Sequence, residues 1–275
     1  MGTVYSGSTR RNERINMEFI DTHSHLYVKD FDEDRDEIIK ESQNEGVSRI
    51  LLPNINWDSL IPMLEVCKAY PQICYPMIGL HPCDVKENYK EVLQKIFECF
   101  SPSIFIGVGE VGIDLYWDKT FLEQQKDAFR FQIQFAIEHD LPLVIHKRNS
   151  YNDTMEVLNE FKGEKLKGIF HCYSGSLYHA EEVIEKGFLL GIGGTVTYKK
   201  VNLDEILPYI PLNYIVLETD SPYLAPNPYR GMRNKSSYIP QIAYRVAQIK
   251  GVTTEEVAIQ TTKNAVELFG LKGNE

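Results

Sequence analysis

The chain has 275 residues, 43% hydrophobic and 25% charged, which is enough apolar material to build one large domain core. No run of about 18 apolar residues occurs, so no transmembrane helix is expected, and the opening MGTVYSGSTRRNERINMEF has no apolar signal core. A net charge of −10 argues against a protein that coats duplex nucleic acid, but it leaves room for a local basic cleft that grips a short polyanion.

Residues 1–16 are polar and basic and are expected to be a disordered tail, with one domain over 17–275. Eight short apolar runs follow: 19–26, 49–54, 74–82, 104–113, 141–148, 168–175, 188–195 and 214–224. Rich in Ile, Val, Leu and Phe, they have the composition of parallel strands buried on both faces. Helical patterns lie between them. DEDRDEIIKESQNEG and DSLIPMLEVCKAYP stop at Gly and Pro, and TFLEQQKDAFRFQIQFAIEHDLP is the longest. After Val252, TTEEVAIQTTKNAVELFG predicts a last amphipathic helix with an N-cap and acids in its first turn. Strand starts recur at the length of a βα unit, and eight such units predict an α/β fold, a single (β/α)8 TIM barrel. GVGEVG (107–112) opens no helix, so it does not support a doubly wound nucleotide-binding sheet. The five cysteines form no CxxC pair and predict free thiols in a reducing cytoplasm.

The active site of such a barrel lies at the C-terminal ends of its strands. There the runs place His23 and His25, His81, Glu110, His146, His171 and Asp220. In an extended first strand Asp21, His23 and His25 share one face, and leaving them buried and unpaired costs roughly 1–3 kcal/mol each. One buried histidine is ordinarily a hydrogen-bonded core residue. Four imidazoles and two carboxylates in one mouth, His81 aside, point instead to divalent cations. Six ligands exceed what one catalytic ion with open positions takes, so two ions sharing a carboxylate fit the count. Asp21 and Glu218, lying deeper, are expected to accept hydrogen bonds from ligand imidazoles. His81 either stabilises a turn or touches substrate phosphate. Cys172 is expected to pack, His139 to end a helix and His179 to be solvated. Lys147 and Arg148, Lys199 and Lys200, and Arg230, Arg233 and Lys235 all follow strands on the catalytic side. They would give an acidic protein a positive mouth, with Arg148, Arg230 and Arg233 as phosphate contacts. Tyr223 and Tyr229 either stack on a base or pack beside prolines.

The segments DTHSHL, GLHP, GEVGID, IHKR, HCYSGS and ETDSPYLAPNPYRGMRN occur in order from about Phe19 to Phe269. Together they resemble the TatD family of metal-dependent deoxyribonucleases, within the amidohydrolase-like barrels. Tyr173 stands where that family often has Phe. The resemblance implies a TIM barrel with two divalent cations (Mg, Mn, Zn, Co or Ni) and hydrolysis of nucleic-acid phosphodiesters, often as a 3′→5′ exonuclease. By position, it implies that His23, His25 and Asp220 bind one cation and that Glu110 bridges to a second held by His146 and His171. IFIGVGEVGI contains no lysine to serve as a carbamylated bridge. The resulting expectation is a cytoplasmic enzyme acting on single-stranded or end-frayed DNA, with Asp220 and Glu110 catalytic and with no membrane or obligatory protein partner. A hydrolase of another ester, amide or small phosphoester, and a non-enzymatic metal-dependent nucleic-acid binder, are the competing expectations.

Overall fold

Each of the eight apolar runs overlaps a strand. In chain order the elements are β1 (Phe19–Asp21), α1 (Arg35–Asn44), β2 (Val47–Pro53), α2 (Trp57–Ala69), β3 (Cys74–Met77), α3 (Tyr89–Glu98), β4 (Val108–Asp114), α4 (Leu122–Glu138) and β5 (Leu143–Arg148). They continue with α5 (Tyr151–Glu160), β6 (Gly168–Phe170), α6 (Leu177–Glu185), β7 (Phe188–Ile192), α7 (Leu203–Ile206), β8 (Ile215–Leu217), α8 (Ile239–Lys250) and α9 (Thr254–Phe269). The computed structural model describes residues 17–272; the tail expected over 1–16 lies outside them. No helix among the described residues is long and apolar enough to cross a membrane.

Every ladder is parallel, in the orders β1-β2-β3 and β4-β5-β6-β7-β8. Two seams join these arcs. At one, Ile78 bridges Val108 and the Gly109 amide donates to the Ile78 carbonyl at 2.8 Å. At the other, the Thr22 amide donates to Leu217 at 3.0 Å and the Asp220 amide to His23 at 2.8 Å. The sheet therefore closes into the expected (β/α)8 barrel.

Strand alternation sorts the apolar side chains into two cores. One lies between sheet and helices. The other fills the barrel with Ile20, Leu51, Met77, Val144, Ile169 and Val216, and Ala265, Phe269 and Leu271 form its floor. The last two helical turns of α9 and the residues after it thus close the barrel opposite the C-terminal ends of the strands. The expected cap of α9 is present as a reciprocal box: Thr253 Oγ1 accepts from the Glu256 amide, and the Glu256 carboxylate accepts from the Thr253 amide.

One local expectation is corrected. The first strand ends at Asp21, not Leu26. Asp21 Oδ1 accepts from the His23 amide two residues on, at 3.3 Å, a side-chain-to-backbone bond that turns the chain. Alternation stops there. Asp21 faces Thr219 and Ser236, while the His23 and His25 rings face Glu110.

Candidate metal centre

Glu110 is the third residue of β4 rather than its end. It is 2% exposed, and its two carboxylate oxygens face different partners. Oε2 lies 3.2 Å from His23 Nε2 and 3.4 Å from His25 Nε2. Oε1 lies 2.7 Å from His146 Nδ1, 2.9 Å from His171 Nε2 and 3.3 Å from His81 Nε2. Asp220, three residues past β8 at φ +57°, joins the first side: its Oδ1 is 3.4 Å from His25 Nε2 and 3.7 Å from His23 Nε2. Ligand atoms of His23, His25 and Asp220, of His23, Glu110 and His171, and of His81, Glu110 and His146 lie within 4.8 Å of one another in each group.

The outward ring nitrogens decide what the inward ones can do. Tyr27 Oη donates its proton to the Pro53 carbonyl at 2.6 Å, so at 2.9 Å it accepts from His25 Nδ1. His25 Nε2 then carries a lone pair. Asp114 Oδ2 accepts from His146 Nε2 at 2.8 Å, leaving the Nδ1 lone pair aimed at Glu110. Glu218 Oε1 lies 3.6 Å from His171 Nδ1, beyond hydrogen-bond distance, so that ring's proton is not fixed in the same way. His81 is wired oppositely. Its Nδ1 accepts from the Cys83 amide at 3.1 Å, so the neutral ring bears its proton on Nε2 and presents a donor.

These facts test whether cations fit. His23 Nε2 and His25 Nε2 are 3.3 Å apart, and His146 Nδ1 and His171 Nε2 are 3.2 Å apart. With their protons held on the outward nitrogens, His25 Nε2 and His146 Nδ1 aim lone pairs at a carboxylate. Positive charge between the rings, as protons or cations, relieves that repulsion. With protons alone, burial opposes charge on His25, but Asp220 and Glu110 raise it to about 10. Burial likewise opposes charge on His171, and Glu110 and Glu218 still raise it well above the imidazole range. Burial alone would raise Glu110, yet His171, His81 and His23 hold it well below the carboxylate range. The nitrogen and oxygen donors, their convergence and their outer acceptors fit divalent metal.

Asp114 and Tyr27 were not among the residues picked out from the sequence. Asp114 closes the same GEVGID run as Glu110, four residues on and on the same strand face, and Tyr27 follows His25 by two. Asp114 is 1% exposed. Burial would raise its pKa, but the His146 bond and the Tyr116 amide outweigh it and hold the carboxyl at about 2.

The other expected residues divide. Glu218, expected to accept from a ligand imidazole, lies 3.6 Å from His171 Nδ1 and instead accepts from the Cys172 amide at 2.5 Å. A Cβ on Gly191 would meet its Oε2 at 2.2 Å, so only glycine leaves it room. Asp21 touches no imidazole; it braces β1 against Thr219 and Ser236 instead. Arg233 is engaged by Asp34, the Asp30 carbonyl and the Phe31 ring, and Lys235 by Glu41. Tyr229 stacks on Tyr238 at 4.1 Å. His179, expected in solvent, is half-buried and stacks on Tyr151 at 3.7 Å. His139 packs between Phe100 and Phe135. Arg148 and Arg230 have no ion-pair partner among the described residues; each lies over a tyrosine, Tyr116 at 3.8 Å and Tyr198 at 4.6 Å. Tyr223 is 53% exposed, with its ring centroid 6.2 Å from that of His25.

The model of a family described as TatD related DNase matches residues 20–270. An uncharacterized metal-dependent hydrolase, YabD, of Bacillus subtilis is 38% identical over 250 residues, covering 90% of this chain and 98% of its own. A 3′-5′ ssDNA/RNA exonuclease, TatD, of Pectobacterium carotovorum is 28% identical over 252 residues, covering 90% and 97%. Among solved structures, YJJV, a TatD homolog from Escherichia coli K12, superposes with a TM-score of 0.85 at 27% identity, covering 94% of this chain and all of that one.

Proposed function

This chain belongs to the TatD-related DNase family and is a metal-dependent hydrolase, and from that premise we propose that it hydrolyses nucleic-acid phosphodiesters at two divalent cations, removing nucleotides from the 3′ end of single-stranded DNA. The observation that carries this reading is Glu110, one carboxylate oxygen turned to His23 and His25 and the other to His146 and His171. His23, His25 and Asp220 would hold one cation and His146 and His171 the other, with Glu110 within reach of both. When bound, the pair supplies Lewis acidity toward phosphoryl oxygen and makes a water acidic enough to ionise near neutral pH.

The chain's own groups do the rest. Asp220 sits at the rim of the cluster, orients the attacking water and accepts its proton. His81 presents Nε2–H as a donor and hydrogen-bonds a phosphoryl oxygen. Arg148 and Arg230 balance charge at the mouth. Polarity and strand preference draw support from the Pectobacterium relative, a 3′-5′ ssDNA/RNA exonuclease by name.

The test is cleavage of strands labelled at the 5′ or the 3′ end, with Mg, Mn, Zn, Co or Ni added in turn and EDTA as control. Metal-dependent, stepwise shortening of 5′-labelled strands is expected. Turnover of small esters or phosphoesters with no strand cleaved under any metal would overturn the assignment.

A further inference from the structure

We propose that Tyr116, Trp117 and Arg148 form a stacking platform for an unpaired nucleobase beside the Glu110 centre. The proposal rests on the nuclease reading and names the surface that recognises the base.

Tyr116 and Trp117 follow β4 and are 52% and 70% exposed. Their rings meet edge to face at 4.9 Å. The Arg148 guanidinium, ending the neighbouring β5, covers the Tyr116 ring at 3.8 Å and lies 5.3 Å from the Trp117 centroid. Large aromatics so exposed contribute little to a core, and here they are held rather than loose. Asp114 Oδ1 accepts from the Tyr116 amide at 2.8 Å and the Trp117 amide at 3.2 Å. The Leu115 amide donates to the Arg148 carbonyl at 2.9 Å, and Asp118 closes the turn by accepting from the Thr120 amide at 2.8 Å. A cleft of ≈ 640 Å³ opens alongside, lined by Tyr116, Lys147, Arg148, Asn149, Tyr151 and Ser174 among others.

The link to the centre is Asp114. Its other oxygen holds His146 at 2.8 Å, so one carboxylate sets both a ring facing Glu110 and the backbone of the aromatic pair. The occupant follows from the chemistry. Flat π-faces beside two cationic side chains suit a base attached to phosphate. Any base has a π-face, so such a surface tolerates sequence, but in a duplex that face is covered by its neighbours. The platform therefore selects unpaired nucleotides. The nearby metal-binding constellation and the local positive charge favour a nucleic acid over a peptide as occupant.

The test uses the full-length, metal-replete protein with Trp57→Phe, which leaves Trp117 as the reporter, since the chain has 2 tryptophans. Cleavage-resistant phosphorothioate oligothymidylate and an abasic chain of equal length and linkage are titrated separately. Binding is followed by strand anisotropy and by Trp117 emission. Oligothymidylate is expected to quench Trp117 and the abasic chain to leave it unchanged. Trp117→Ala should weaken oligothymidylate binding roughly tenfold, with abasic-chain affinity and metal content unaltered. Unchanged Trp117 emission at saturation, or equal weakening for both chains, overturns the platform alone. Failure of the unsubstituted protein to bind any strand overturns the platform and the nucleic-acid reading together.

Discussion

Tyr27 never faces the centre of the cluster, yet it settles which nitrogen of His25 does. Tyr27→Phe removes the acceptor of the Nδ1 proton and is expected to lower metal affinity about 10–100-fold, measured by calorimetry on folded protein; an unchanged affinity would show that this bond does not fix the ring. Glu110→Ala should go further, lowering metal content and abolishing turnover with the barrel intact by circular dichroism. Full occupancy of both sites in that variant would refute the shared carboxylate. The inward-facing residues were legible because His, Glu and Asp are costly in apolar strands and each invites the question of what satisfies it. The acceptors behind them were less so. Glu218 was visible because it precedes Asp220 on the same strand run. Tyr27 and Asp114 look like ordinary residues until the fold brings them to a ring.

Among elements, the strands were legible as apolar runs, but their ends were not. A run cannot say where the backbone leaves the ladder, and the departures here are made by contacts distant in sequence, as when Asp21 reaches Ser236. The loop after β8 illustrates the same limit. Its arginines look alike in the sequence, but Arg233 ties the loop to Asp34 before α1, whereas Arg230 lies exposed on Tyr198. Arg233→Ala is expected to cost about 0.5–1 kcal/mol, a modest figure because both partners are about a third exposed and screened by solvent, with metal content unchanged. Arg233 holds the Asp34 carboxyl below its ordinary value. This contribution is therefore present above the ordinary carboxylate pKa and lost as pH falls through the lower, folded value. Chemical denaturation of both proteins at neutral and strongly acid pH checks the sign; a gap that widens in acid would contradict it. Arg230→Ala should leave stability alone and raise the KM for DNA while weakening its salt dependence; a wild-type KM and salt slope would remove Arg230 from the substrate path.

For the whole molecule, a net charge of −10 means that most of the surface repels a polyanion while the mouth carries Lys147, Arg148 and Arg230. A strand should enter by its end, so linear single strands are expected to be degraded and circles spared in the same buffer; equal rates would remove the end requirement. The fold as a whole was legible from the regular return of strand and helix. The floor of the barrel was less so, because α9 reads as one more amphipathic helix and nothing local says that it turns residues inward. Phe269→Ala is expected to cost about 3–5 kcal/mol, seen as a lowered unfolding midpoint, and a change below 1 kcal/mol would mean the floor is not closed there. That floor also sets an order in time. A ribosome makes Ile20 early and Phe269 some 250 residues later, at about 5–20 residues per second. The inner surface of the sheet therefore waits tens of seconds for its last apolar partners, and nascent chains halted before α9 should be the ones that chaperones hold and proteases cut.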